Sequence, residues 1–223
     1  SLIDTWAATG SGAFSLSENG LYTLEAWRLF LSRLTDDGVF TVSRWFNPVD
    51  LGETGRMLSL ATAALFDRGA ASPPQHLAMV SSGRVATLLV SRQPLKPEEV
   101  ERIRNAAADL QFGEVIVPGR LPSHPALRNI LSSRSLDDLH RRIADTTLRY
   151  DPPTDDSPYF FNMLRLSDLR SAFNVRPGVV RGNLMATYNL VVLVVSLALL
   201  CVCTVVRPLL KRAVSAQGAP SVL

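Results

Sequence analysis

Apolar positions along the chain follow two spacings, one every three or four residues and one every second residue or unbroken, and the alternation between them predicts the elements. Residues 1–3 read as the end of a buried strand, closed by Asp4 and followed by a long loop of small and polar residues. Asn19-Gly20 marks a turn. Over 23–34, Leu24, Trp27, Leu31 and Leu34 form a helical stripe, with Glu25 in the first turn, where a negative charge suits the helix dipole. After Asp36-Asp37-Gly38, the β-branched and aromatic run 39–43 reads as a strand. Strand, helix and strand in this order predict a unit of a parallel sheet. A second helix is expected over 51–68, with Met57, Leu58, Ala61 and Leu65 on its inner side. Two short apolar runs, 76–80 and 85–90, flank Ser81-Ser82-Gly83-Arg84 and predict a hairpin. Residues 97–110 begin with proline and two glutamates and carry Val100, Ile103, Ala107 and Leu110 on one face, which predicts a helix. A strand over 114–117 follows. Beyond Arg120 prolines punctuate the chain; a helix is expected over 136–146, an aromatic loop over 155–162 and a short helix around 166–172.

The last element differs in kind. Residues 190–206 carry no charge. Extended back to Leu184, the run would measure roughly 34 Å as a helix, against a bilayer core of about 30 Å. The pattern therefore divides the chain into an α/β domain over 1–150, a membrane-proximal linker over 151–183, a transmembrane helix over 184–210 and a basic tail over 211–223. Arg176 and Arg181 precede the span, and Arg207, Lys211 and Arg212 follow it. Both flanks are basic, so charge does not fix the orientation.

Composition changes this picture little. The 223 residues carry a net charge of +3. The positive mean hydropathy comes from the apolar run. The basic residues are scattered arginines, with lysine only at Lys96 and Lys211. No basic patch interleaved with aromatics occurs, which argues against a nucleic-acid partner. Cys201 and Cys203 lie inside the apolar run and have no metal-ligand spacing. His76, His124 and His140 are far apart and show no ligand spacing either, so no metal site is expected.

Ligands of open α/β sheets sit outside the carboxyl ends of the strands, which directs the search for chemistry to Asp4. A carboxylate there can take a proton from an amine or hold a cation; it can equally make an Asx turn. Glu18, in the same loop, could help bind a cation or stay solvated. Trp6, Tyr22, Trp45 and Phe46 fall near the same edge, where they could flank a cationic chain or pack beneath the loop. Arg44 could meet an anion or pair with Asp4 or Glu18. Thr9-Gly10-Ser11-Gly12 lacks the spacing of a dinucleotide loop and suits a lid. Ser11 and Ser17 have no nucleophile motif around them.

Four stretches together resemble spermidine-synthase-like domains: S-L-I-D-T-W-A-A-T over 1–9, S-E-N-G-L-Y-T over 17–23, D-G-V-F-T-V-S-R-W over 37–45 and D-D-S-P-Y-F-F-N over 155–162. More closely, the chain is similar to bacterial members in which that domain is fused to membrane helices. The resemblance implies an α/β fold: the C-terminal half of a Rossmann-like sheet of the S-adenosylmethionine methyltransferase type, with a late β-hairpin, then a transmembrane helix. It implies aminopropyl or methyl transfer from S-adenosylmethionine or its decarboxylated form. Asp4 matches the family's base, which activates the attacking amine. Trp6, Glu18, Tyr22, Arg44 and Trp45 fall where substrate would bind. Ser1 stands where the family has a first aspartate, and Val80 replaces a substrate-binding tyrosine. The glycine-rich cofactor loop would lie upstream of residue 1, so the chain is expected to be part of a larger membrane protein. The alternative is a domain that has lost turnover, binds a ligand and regulates its membrane helices. The partners implied are the bilayer, a small amine and a second copy of the chain, with the soluble domain in the cytoplasm.

Overall fold

A computed structural model describes residues 17–49, 51–146, 148–165 and 179–209. Helix α1 (Leu24–Arg33) is capped by Thr23, whose hydroxyl accepts from the Ala26 N–H at 3.2 Å. Strand β1 (Val39–Trp45) leads to helix α2 (Gly52–Asp67). The hairpin follows as β2 (Leu77–Ser82) and β3 (Val85–Ser91), then α3 (Pro97–Asp109) and β4 (Gly113–Ile116). Two short helices, α4 (Pro125–Leu131) and α5 (Leu136–Ala144), close the domain.

The four strands lie in the order β1-β3-β2-β4, and each neighbouring pair is antiparallel. The parallel pair expected from the sequence joins residues 1–3 to β1, and residues 1–3 lie outside the described residues. Among the described strands, β3 turns back to pair with β1 and separates it from β2. Strands β1 and β2 still point the same way, so their carboxyl ends share one edge of the sheet. The strand expected at 1–3 lies outside the described residues.

Helix α2 is buried on every side from Gly52 to Leu65, not along one stripe. It packs against α1, α4 and α5 and against β1 and β3. Small residues make this close approach feasible, and its two threonine hydroxyls bond locally or to the adjoining strand: Thr62 donates to the Leu58 carbonyl at 2.9 Å and Thr54 to that of Trp45 at 2.8 Å. The side chains of Leu148, Tyr150, Phe160, Phe161 and Met163 complete the same core.

The last described helix, α6 (Val179–Cys201), continues through a wider π-helical turn, Val202–Val206. The 22 residues Tyr188–Leu209 are long and apolar enough to cross a membrane, and their side chains are all exposed. The short helix expected at 166–172 and the tail at 211–223 lie outside the described residues.

Candidate functional site

Strand β1 sends Val42 and Arg44 to its buried face and Trp45, half exposed, to the other, as strand alternation requires. The Arg44 guanidinium lies 4.1 Å from the centre of the Tyr22 ring, 5.2 Å from Phe161 and 5.6 Å from Phe160. It faces Glu53 of α2 at 3.7 Å, and both side chains are buried. A buried ion pair offsets its desolvation only through close partners, and here the ring faces supply further attraction to the cation.

One turn along α2, Arg56 is enclosed by backbone. Its Nε donates to the Asp151 carbonyl at 3.0 Å, and one terminal nitrogen is shared among the carbonyls of Tyr159, Phe160 and Asn162 at 2.7–2.8 Å. Burial, helped by the nearby Arg149 charge, lowers its pKa to about 9, so it keeps its proton at neutral pH. The 151–162 segment thus wraps a cation that the core helix presents.

The same segment fastens the loop preceding α1. The Asn19 N–H donates to the Pro158 carbonyl at 2.8 Å, and the Leu24 N–H to that of Pro153 at 2.9 Å. The Asp155 N–H donates to the Glu25 carboxylate at 3.0 Å. The Tyr159 hydroxyl donates to Glu18 at 3.1 Å, and that acceptor raises the phenol pKa. Tyr22 stacks at 4.6 Å on Phe160.

An open cavity of about 410 Å³ lies at the shared carboxyl ends of β1 and β2, lined by Phe46, Leu51, Ser81, Glu114, His124 and Leu127 among others. His124 caps α4: its Nδ1 accepts from the Ala126 N–H at 3.1 Å. Burial lowers its pKa, with a further push from the Arg128 charge, which keeps the ring neutral at pH 7. Glu114 is engaged by Arg104 and Arg120, each at 3.4 Å. No group of side chains suited to a metal ion occurs among the described residues.

Of the residues singled out from sequence, Asp4 and Trp6 lie outside the described residues. Tyr22 and Arg44 come together, inside the core. Glu18 is exposed and bonded to Tyr159, and Trp45 stands apart on the other face of β1. Phe160 and Phe161, of the aromatic loop expected over 155–162, pack on Tyr22 and Arg44 in the core. Glu53 and Arg56 were missed; their signal was a pair of opposite charges one turn apart in a helix with no other charge before Asp67. The described residues do not fit a nucleoside cofactor by themselves. Arg44, near the carboxyl end of β1, is buried against Glu53, and no glycine-rich strand-to-helix turn occurs among them. Compared with models of known families, with curated proteins and with solved structures, the chain has no significant match.

Proposed function

We propose that the chain is the later half of a spermidine-synthase-like transferase domain, Rossmann-like in its sheet and attached to a membrane through Tyr188–Leu209. It acts on a small amine, with S-adenosylmethionine or its decarboxylated form as donor. One observation carries this reading. Three of the four stretches on which the resemblance rests are far apart in sequence yet meet at one place: Tyr22 of the first, Arg44 of the second and Phe160-Phe161 of the third lie around one guanidinium. The last stretch also anchors the backbone at Asn19, through the Pro158 carbonyl, downstream of Asp4 in sequence. In this reading Asp4 accepts the amine proton, and the late hairpin β2–β3 belongs to the sheet of that fold. The donor's binding residues come from elsewhere than the described residues.

A second reading is favoured by the burial of Tyr22 and Arg44: a domain that binds an amine without turning it over. The full protein in its own membranes separates the two. Under the first reading, Asp4→Asn lowers product formation by about 100-fold or more and leaves amine binding and folding nearly intact. Unchanged turnover in that variant removes Asp4 as the base. Amine binding by the wild type with no product supports the second reading.

A further inference from the structure

At the opposite end of the sheet, where β1 and β2 begin and β3 ends, lies a second open cavity of about 300 Å³. It is lined by the end of α2 (Arg68 and Gly69), by His76 before β2 and by Arg92 and Gln93 after β3, with Leu65, Ala70 and Pro94 filling between. The lining holds two guanidinium groups and no carboxylate. One terminal nitrogen of Arg68 is buried and has no hydrogen-bond partner. Arg92 is held from behind: its guanidinium donates to the Leu34 carbonyl and faces the exposed Asp36 carboxylate at 3.5 Å. His76 is fixed by a 3.2 Å contact between its Nδ1 and the Ser91 carbonyl, and burial, then the Arg68 charge, keeps its ring neutral.

We propose that this cavity is a binding site for a phosphate-type oxyanion, held by Arg68 and Arg92. A buried donor left without an acceptor is costly, and a guanidinium fork matches phosphate oxygens in geometry and charge. The volume, at the lower end of that of small-molecule sites, leaves room for a phosphate and a small group attached to it. The site is separate from the carboxyl edge that bears Trp45, so it stands or falls independently of the transferase reading. A soluble phosphate compound and a phospholipid headgroup share this chemistry.

The test uses the full chain in detergent micelles and labelled inorganic phosphate in equilibrium dialysis at constant ionic strength. One saturable site per chain is expected, weakened about tenfold or more by Arg68→Gln. Equal binding by that variant, or uptake that does not saturate, overturns the proposal. Should Arg68→Gln fail to fold, hydrogen exchange of the wild type decides: phosphate should slow the amides of 68–70 and 91–93 selectively, and no local slowing overturns the site. Nanodiscs then distinguish the sources. Loss of phosphate binding in phosphatidylglycerol discs but not in phosphatidylcholine discs identifies a headgroup; equal binding in both identifies a soluble phosphate compound.

Discussion

At the scale of single residues, the charges inside the core determine most. Removing Arg44 alone leaves the Glu53 carboxylate buried without its cation. Arg44→Met should therefore cost about 3–5 kcal/mol. Adding Glu53→Met should recover most of that loss, because two apolar side chains leave no orphaned charge beside the Tyr22, Phe160 and Phe161 rings. Urea midpoints of the three variants and the wild type form the cycle; a double variant as unstable as Arg44→Met would contradict the pairing. His124 gives a pH dependence. Burial, with the Arg128 charge, places its folded pKa below the ordinary value of 6.5, so the unfolded chain takes up the proton first as pH falls. Stability is then full above that value and is lost as pH drops through it; buried His76 acts in the same direction. The urea midpoint should fall between about pH 7.5 and about pH 5.5. It should fall less in His124→Asn, whose side-chain oxygen caps α4 without titrating. An identical fall in that variant would rule out a contribution from His124. Neither effect was legible in the sequence: Arg44 and His124 are ordinary surface residues by type, and only the fold sets rings and a helix N-terminus against them.

At the scale of elements, the bounds of α1, β1 and α3 could be read closely from local signals, although of the face expected to be inner in α3 only Ala107 is buried and Leu110 is exposed. Trp27 and Leu31 of α1 face inward as their spacing predicts, and the proline and paired glutamates that open α3 start the helix where they should. Helix α2 was placed correctly, but its burial was not legible. Gly55, Ala63 and Ala64 look neutral in a pattern, yet with the inner-side Ala61 they are what lets its neighbours close on it. Helix α4 was missed because Pro122 and Pro125 read as breaks, whereas Pro125 occupies the first helical position, where proline is well tolerated. The pairing of β3 with β1 depends on contacts across the sheet that no local spacing encodes. Gly55 tests the packing of α2. A β-carbon there would lie 2.7 Å from Cε1 of the buried Tyr150 ring. Alanine gains about 1 kcal/mol in helix propensity, but overpacking a closed core costs about 1–3 kcal/mol. Gly55→Ala should therefore lower the denaturation midpoint modestly; a raised midpoint would mean that the core opens there at no cost.

At the scale of the whole molecule, the α/β domain and the apolar helix make separate claims. Tyr188–Leu209 spans about 33 Å at 1.5 Å per residue, enough for a bilayer core. An arginine near its middle costs about 2.5–3.5 kcal/mol on insertion scales. Leu199→Arg should therefore shift much of the protein into the fraction released by alkaline carbonate, while unchanged retention would mean that this helix does not hold it in the membrane. The candidate site was legible only in part. Tyr22 and Arg44 were picked for the edge of the sheet and do meet, but the fold draws them inward, where Glu53 and the 151–162 backbone enclose the charges. That enclosure needs contacts across more than 100 residues of chain, such as Arg56 with Phe160, which spacing cannot reveal. The most direct test of the transferase reading is the mass of the amine. The full protein in its membranes is incubated with a small amine and either S-adenosylmethionine or its decarboxylated form, and the amine is weighed by mass spectrometry. The amine should gain the mass of one methyl or one aminopropyl group, and this gain should be lost in Asp4→Asn. An amine that binds and leaves with its mass unchanged would contradict the transferase reading.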